Sequence, residues 1–128
     1  MMLLLDTHIL IWALLDDPAL SPLARELINE PRNTLYVSSI SFCEVAIKRS
    51  LGRENLACST TEMAKYVEQC GLQTLNFQPA HAITLETLPW HHRDPFDRML
   101  IAQAFTETMN FVTHDHTLVQ YSDTILEV

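Results

Sequence analysis

The stretch that decides the fold is MLLLDTH, residues 2–8, near the amino terminus. Its apolar part, Met2–Leu5, is a short unbroken run of the kind found in strands that are buried on both faces. Asp6 and Thr7 end this run, and Thr7 is a candidate cap for a helix at Ile9–Leu15. The stretch therefore predicts a buried strand that turns directly into a helix.

The same alternation of short apolar runs and helical segments continues outward along the chain. Further strands are predicted at Thr34–Val37, Gln73–Leu75, Phe111–Thr113 and Thr124–Glu127. Capping residues, glycine and proline predict the helices between them, at 22–29, 39–52, 60–70, 79–88 and 95–108. This order predicts a mainly parallel α/β sheet covered by helices on both faces, with the carboxyl ends of the strands, where ligands bind, along one edge.

Length and composition set the outer limits. The 128 residues fit one domain, and 48% of them are hydrophobic, which excludes a disordered chain. Sixteen acids against eight Lys and Arg give a formal charge of −8, which argues against gripping nucleic acid mainly through a basic surface. The charge is compatible with an enzyme whose acids cluster around a divalent metal ion.

Cysteine usage and apolar segments bear on the compartment. Cys43, Cys58 and Cys70 are odd in number and lack Cys-x-x-Cys spacing, so they indicate reduced thiols rather than disulfides or a zinc site. Met1–Leu5 is too short for a signal peptide, and no stretch approaches the roughly 20 apolar residues that cross a membrane. We expect a cytoplasmic protein with no membrane partner.

Two aspartates follow predicted strands. Asp6 comes directly after the first strand, and Asp115 lies two residues beyond the strand at Phe111–Thr113. Because the carboxyl ends of parallel strands meet at one edge, both carboxylates are predicted to lie there. Taken singly, each is explained as well by a helix cap or a turn.

Glu44 falls on the apolar side of its predicted helix. Ile40, Ile47 and Leu51 stand at −4, +3 and +7 from it, which places all four on one stripe facing the core. A carboxylate there is costly unless a cation or hydrogen-bond donors satisfy it. A metal-facing role is favoured, and an ion pair with Lys48 one turn later is the alternative.

The segment HHRDPFDRMLIAQA, residues 91–104, carries the densest set of signals. Asp94 is a natural cap before the proline that follows it, and capping is the simpler account of this residue. Asp97 stands where a capping box places an acid, but it also lies in line with Leu100 and Ile101 on the predicted buried face. Four acids from four elements are thus predicted to converge: Asp6, Glu44, Asp97 and Asp115.

Four carboxylates in one pocket repel each other unless a cation neutralises them. Ligand sets made only of oxygen select hard cations, hence Mg²⁺ or Mn²⁺. Such an ion can activate water near neutral pH and stabilise the oxygens of an in-line phosphoryl displacement.

Several stretches together resemble a known family. LDTH at 5–8, SFCEVAIK at 41–48, LPWH at 88–91, HRDPFDR at 92–98 and THD at 113–115 are similar to the VapC-like toxins of the PIN-domain family. Single motifs of this kind are unspecific, but these occur in order and at family-like distances. The resemblance spans nearly the whole chain, from Leu3 to about Tyr121.

The resemblance implies a single PIN domain over residues 1–128, with a five-stranded mainly parallel sheet between helices. It implies the toxin of a type II toxin–antitoxin system, a Mg²⁺-dependent endoribonuclease (a hydrolase, with Mn²⁺ as a substitute) that leaves 5′-phosphate and 3′-hydroxyl ends. It implies a homodimer that is silenced in a hetero-oligomer by a protein antitoxin, whose tail enters the active-site groove. By motif, the catalytic and metal-binding acids of the family fall on Asp6, Glu44, Asp97 and Asp115.

Accessory roles are also implied. The resemblance gives Thr7 a part in orienting Asp6 or a water on the metal, and places Asp94 beside the pocket. Arg93 and Arg98 are candidates for contacts with RNA phosphates, because a guanidinium can bind a phosphate through two hydrogen bonds. Pairing with nearby acids is an equally good account of both arginines.

Other residues are predicted to have no catalytic part. Zinc binding is a weaker alternative because the histidines lack structural-zinc spacing, and we expect solvated or substrate-contacting loop side chains at His8, His91, His92, His114 and His116. Trp12 and Trp90 are predicted to be core or interface residues rather than platforms for stacked bases. Ile11, Leu14 and Leu15 are candidates for a dimer contact or for ordinary core.

Two other functional hypotheses remain open at this point. A PIN-like binding module without catalysis would use the acids only as caps and ion pairs, and would not respond to a cation. A nuclease directed at DNA would use the same acids on a different substrate. The small size and the lack of an added DNA-gripping domain favour RNA.

Overall fold

A computed structural model describes residues 1–52 and 56–128. Its five strands form one sheet in the order β3-β2-β1-β4-β5, and all four strand pairs are parallel. The predicted five-stranded parallel sheet is therefore confirmed. The strands are β1 Met2–Leu5, β2 Thr34–Ser38, β3 Gln73–Leu75, β4 Asn110–Thr113 and β5 Ile125–Glu127.

The helices agree with the predicted segments to within two residues at each end, the largest difference being α1, which begins at Thr7 instead of Ile9. In chain order they are α1 Thr7–Leu15, α2 Pro22–Asn29, α3 Ser39–Leu51, α4 Thr60–Gln69, α5 Pro79–Thr87 and α6 Pro95–Glu107. A short 3-10 helix at His116–Tyr121 was not predicted. The predicted cap of α1 was wrong: Asp6 caps the helix and Thr7 is its first residue, because the Asp6 carboxylate accepts from the Thr7 N–H. Within the described residues, no helix is long and apolar enough to span a membrane.

The two faces of the sheet carry separate hydrophobic cores. Leu3 and Leu5 belong to a core that also contains buried residues of α1, α2 and α4. Leu4 belongs to the opposite core, with residues of α6 and the 3-10 helix and with α5 packed against it. The alternation follows from the two-residue period of a strand, and the unbroken apolar run of β1 is therefore buried on both sides.

The order of the strands reverses at β1, and this reversal creates the place for a site. The chain runs from β1 outward to β2 and β3, then crosses back to put β4 on the other side of β1. The connection that leaves β1 begins with α1 on one face, whereas the connection that leaves β4 packs Leu118 of the 3-10 helix against the other. Because these connections diverge, a crevice opens at the carboxyl ends of β1 and β4.

The candidate dimer residues of α1 separate in the structure. Ile11 is buried in the core, whereas Leu14 is partly buried and packs against that core. Leu15 is exposed. Ordinary core is therefore the correct account of Ile11, and a dimer contact through Leu14 or Leu15 stays a prediction.

Replacing Leu4 by Ala tests the burial of the central strand. Leu4 is completely buried, so Leu4→Ala is expected to lower the free energy of unfolding by about 2–5 kcal/mol, the range for a large-to-small change in a core. Leu23→Ala, at a half-exposed position of α2, is the matched control and should stay within about 0.5 kcal/mol. Urea denaturation measures both, and equal losses would contradict the burial of β1.

Candidate active site

A cavity of about 430 Å³ lies at the carboxyl edge of the sheet, at the reversal between β1 and β4. All four predicted acids line this cavity, and Asp94 adds a fifth carboxylate. The structure thus brings together carboxylates from four separate elements. The full lining is Asp6, His8, Trp12, Glu44, Lys48, His92, Asp94, Asp97, His114 and Asp115.

Asp6 is held between the ends of β1 and β4. One carboxylate oxygen accepts from the Thr7 N–H at 2.7 Å, and the other accepts from the Thr113 hydroxyl at 2.7 Å. The Thr113 oxygen in turn accepts from the backbone N–H of Asp115 at 3.0 Å. Thr113, the last residue of β4, therefore ties the first acid of the pocket to the fourth.

Glu44 is buried in α3, with 3% of its surface exposed. The predicted stripe was partly wrong, because Ile47 and Leu51 are 46% and 55% exposed and only Ile40 is buried with Glu44. The Lys48 ammonium lies 2.7 Å from Glu44 Oε2. The inward position and the ion pair, weighed as alternatives in the sequence, therefore occur together.

The start of α6 brings an aspartate against a histidine. Asp97 Oδ2 lies 2.9 Å from His92 Nε2. Asp94 caps the helix, and its Oδ1 accepts from the N–H groups of Phe96 at 2.9 Å and Asp97 at 3.3 Å. His92, Asp94 and Asp97 each offer one ligand atom within 4.8 Å of the others, so a metal ion could be held here.

Asp115 begins the 3-10 helix. Its Oδ1 accepts from the Thr117 N–H at 2.9 Å and from the Thr117 hydroxyl at 2.7 Å. Burial alone would raise the pKa of Asp115, but the hydrogen bonds from Thr117 outweigh it and the pKa is lowered. Asp115 is thus a carboxylate that stays ionised in the pocket.

Burial and mutual repulsion act in the opposite direction on two other acids. Loss of solvent, followed by the charges of Asp6, Asp94, Glu44 and Asp115, raises the pKa of Asp97 to about 8. Burial also raises the pKa of Asp6, although the Thr113 hydroxyl partly opposes it. Without a cation, the pocket therefore retains protons near neutral pH.

The residues of the pocket fit a hard divalent cation. Within residues 1–52 and 56–128, Glu44 Oε1 is a buried side-chain oxygen without a hydrogen-bond partner. A buried carboxylate oxygen with no donor is costly, and a cation is the partner that a cluster of oxygens selects. The raised pKa of Asp97, which burial produces first and the neighbouring acids increase further, also fits a cation, since a bound cation would offset the repulsion among these acids.

Some of the accessory residues lie elsewhere. The Thr7 hydroxyl is buried 2.8 Å from the Ser41 hydroxyl of α3, and the contact of Thr7 with Asp6 is made by its backbone N–H. Arg93 lines a neighbouring cavity of about 400 Å³. The histidine pair His114 and His116 contacts the chain end, through Val128 O and the Glu127 carboxylate respectively.

Arg98 is buried, so its pairing with a surface acid was wrong, and its contact with an RNA phosphate stays a prediction. Its guanidinium donates to the carbonyls of Pro89 at 2.8 Å and Leu88 at 3.3 Å and to the Tyr121 hydroxyl at 3.1 Å. It also lies 3.8 Å from the centroid of the Trp90 ring. These contacts use the donors of Arg98 for the loop that precedes α6, rather than for a surface acid.

Tyr121 links this loop to the 3-10 helix. Its hydroxyl accepts from Arg98 and also from the backbone N–H of His92 at 3.0 Å, and its ring contacts His91. Arg98 and Tyr121 therefore fix the segment that carries His92 against Asp97.

The two tryptophans differ. Trp90 is 77% exposed, so it is not a core residue. Trp12 packs partly against a core but also lines the acidic cavity. The sequence analysis missed Trp12 and Thr113 as site residues. Thr113 could have been found from its position at the end of a predicted strand, two residues before Asp115. Nothing in the sequence distinguished Trp12 from other apolar residues of its helix.

The fold and the pocket together define a class of protein. An all-parallel α/β sheet with clustered carboxylates at its switch point is suited to binding a divalent cation. The sequence pattern of the PIN domain matches residues 3–123, so the chain belongs to the PIN-domain family. PIN domains are generally nucleases. A search of curated proteins found no match.

Chains of three solved structures share the fold. VapBC2 from Rickettsia felis, bound to a DNA fragment from the promoter, aligns with a TM-score of 0.72 and 17% identity. VapBC-1 from nontypeable Haemophilus influenzae gives 0.68 and 19%, and DNA-bound VapBC from Salmonella typhimurium gives 0.66 and 18%. The alignments cover 100% of this chain and 97–98% of the other chains. At these identities the likeness concerns the fold.

The raised pKa of Asp97 predicts how stability depends on pH in EDTA. An acid whose pKa is raised on folding stabilises the protein below its unfolded pKa of about 4, and this contribution is lost as pH rises toward the folded pKa of about 8. Asp97→Asn cannot ionise. The variant should therefore gain stability over wild type between pH 5 and pH 8, by more than about 1 kcal/mol.

Urea denaturation at several pH values measures this difference. Asp123→Asn, the same change at an exposed position outside the pocket, is the control and should track wild type. Parallel curves for wild type and Asp97→Asn would show that the pKa of Asp97 is not raised.

Removing the Tyr121 hydroxyl tests the support of the His92 loop. Tyr121→Phe leaves the His92 N–H and one Arg98 N–H without their acceptor, which should lower the free energy of unfolding by about 1–3 kcal/mol. Tyr36→Phe is the matched control, because the Tyr36 hydroxyl makes only a 3.9 Å contact to the sulfur of Met2. Thermal unfolding measures the stability of both variants. If Tyr121→Phe lost no more stability than Tyr36→Phe, the support of the His92 loop by the Tyr121 hydroxyl would be contradicted.

Proposed function

We propose that this chain is the toxin of a type II toxin–antitoxin system and acts as a Mg²⁺-dependent endoribonuclease. The observation that carries the proposal is the convergence of Asp6, Glu44, Asp97 and Asp115 on one cavity of a PIN-family chain. The buried oxygen of Glu44 without a donor supports a cation at this place. Mn²⁺ has the same preference for oxygen ligands and is the expected substitute.

The four acids are proposed as the groups that hold the cation. When bound, a cation of this kind neutralises charge on the phosphodiester oxygens and activates water as a nucleophile near neutral pH. Asp6 is oriented by Thr7 and Thr113, and Asp115 by Thr117, so both carboxylates are fixed before any ligand arrives. Such fixed ligands avoid a reorganisation cost when the ion binds.

We propose that Asp97 and His92 bind and release a proton in the pocket. With a pKa of about 8, Asp97 keeps its proton at neutral pH in the absence of a cation, within 2.9 Å of His92 Nε2. A cation held by these acids would stabilise the ionised form of Asp97, whose proton would then leave through His92 or to solvent. Asp94 lies beside this pair as the cap of α6, where it holds the first turn of the helix.

The toxin role rests on the fold neighbours. The three structures named above are VapBC assemblies, and the VapC-like resemblance of the motifs points in the same direction. We infer a protein antitoxin as the partner on that basis, and the homodimer, the single domain over 1–128 and the cytoplasmic location remain predictions. RNA is proposed as substrate because the family resemblance implies it.

Cleavage by the purified chain, free of any partner, tests the proposal. Wild type should cut RNA with Mg²⁺ or Mn²⁺ and stop when EDTA is added. Asp97→Asn should lower the rate at least about 100-fold, since even loss of a group that merely supports a metal ligand costs 10–100-fold. Asp123→Asn, exposed and outside the pocket, should keep the wild-type rate. Denaturing gels of RNA and of matched DNA oligonucleotides give the readout.

The other outcomes separate the alternatives. Metal-dependent cleavage of DNA but not RNA would show that the substrate is DNA and would still support the metal site. A protein that cuts neither and is not stabilised by Mg²⁺ would be a binding module in which the acids act as caps and ion pairs. RNA cleavage by the purified protein, without growth arrest when it is expressed in cells, would support the nuclease activity and reject the toxin role.

A further inference from the structure

The acidic cavity has a second side made of rings. His8, Trp12 and His114 line the same 430 Å³ space as the carboxylates, and we call these three residues the aromatic wall. His8 and Trp12 belong to α1, and His114 follows β4. Cation binding by carboxylates does not need such a surface, so the aromatic wall calls for a separate explanation.

Trp12 is braced by the two histidines. The His8 ring lies 5.9 Å from the Trp12 ring, at an interplanar angle of 51°, and the His114 ring lies 5.4 Å away, edge-on at 75°. His114 is itself fixed by a 2.6 Å contact between Nδ1 and the Val128 carbonyl. The indole is therefore held in place before a ligand binds, which reduces the entropy lost on binding.

The position of the wall suits one nucleotide. Asp6 caps α1 and Trp12 follows six residues later, about 9 Å along the helix axis at 1.5 Å per residue. A nucleotide spans a distance of this order between its phosphate and the far edge of its base. A phosphate near the carboxylates can thus place the attached base against Trp12.

The charge of the protein favours such a contact. The chain carries a formal charge of −8, and five carboxylates line the cavity against one lysine, so a phosphate backbone is repelled there until a cation is bound. Contacts that do not depend on charge can then contribute to the affinity for nucleic acid. Stacking of a base on an aromatic ring is such a contact, and it tolerates any base sequence.

We propose that the aromatic wall is a base-binding subsite, on which one unstacked base of the RNA beside the cut bond packs against Trp12. This inference rests on the proposed ribonuclease function of the acidic pocket. In a paired helix the bases are stacked on each other and cannot reach a ring beside the phosphate. Paired RNA is therefore excluded from the productive position.

The test combines variants of Trp12 with changes in the RNA. A short single-stranded RNA that wild type cleaves is compared with versions in which one nucleotide at a time near the cut bond lacks its base. Trp12→Leu should raise KM on the intact RNA by roughly 5- to 150-fold, the range for loss of one stacked base, with a smaller effect on kcat. Trp12→Phe keeps a ring and should lose much less.

Coupling separates stacking from a structural effect. At one position, removing the base should raise KM of wild type by about as much as Trp12→Leu does, and the two changes together should cost no more than either alone. His8→Ala, at an exposed position that braces the indole, should give a smaller increase in KM. A Trp12→Leu effect that is the same for every RNA, or an unchanged KM, would overturn the subsite while leaving the nuclease intact.

Fluorescence keeps the inference testable if no RNA is cut. Trp90→Phe leaves Trp12 as the single tryptophan, because the chain has two. An eight-nucleotide single-stranded RNA with Mg²⁺ should quench its emission, and the paired duplex should not. Quenching without cleavage would reject the ribonuclease and keep the subsite, whereas the absence of both would overturn both proposals.

Discussion

The parallel pairing of β1 with β4 is the contact on which the site depends. It sets Leu5, the last residue of β1, beside Val112, so that β4 extends one residue further and the Thr113 hydroxyl reaches the Asp6 carboxylate at 2.7 Å. The connections that leave the two strands diverge to opposite faces of the sheet, and the crevice between them receives the carboxylates of α3 and α6. A fold that placed β4 at the edge would not bring these groups together.

The acids gathered in this crevice oppose the stability of the fold. Burial and mutual repulsion raise the pKa of Asp97 to about 8, and the buried Glu44 keeps one oxygen without a donor even though Lys48 neutralises the other. A chain selected for stability alone would not retain such a cluster, because replacing these acids would relieve both costs. Local conflicts of this kind, in an otherwise well-packed protein, are expected at functional sites.

Hydrogen bonds and ring contacts hold the segments that surround the acids. A buried arginine and a tyrosine hydroxyl hold the segment before α6, and two histidine rings brace Trp12 on the opposite side. In a chain of charge −8, a site that acts on a polyanion cannot rely on a basic surface. The proposed cation site and the proposed base contact at the aromatic wall would together neutralise charge locally and add a contact that does not depend on charge.

The five strands and six α-helices of the described residues, and the acids of the pocket, could be predicted from the sequence alone, because each follows from a local pattern. The apolar run of β1 is buried on both faces, and Asp6 and Asp115 follow strand ends that a parallel sheet must bring to one edge. Helical spacing placed Asp97 correctly, but it wrongly predicted burial of Ile47 and Leu51. The spacing shows which side of a helix a residue lies on, but not how far the neighbouring elements cover that side.

Only the tertiary structure decided the partners of these residues. Arg98 is buried because Trp90 and two carbonyls of the preceding loop, together with Tyr121 of the 3-10 helix, converge on its guanidinium. Trp12 meets the acids because α1 and β4 pass side by side, which no pattern within α1 contains. Local sequence patterns reflect local geometry, whereas these contacts depend on the packing of elements that lie up to a hundred residues apart.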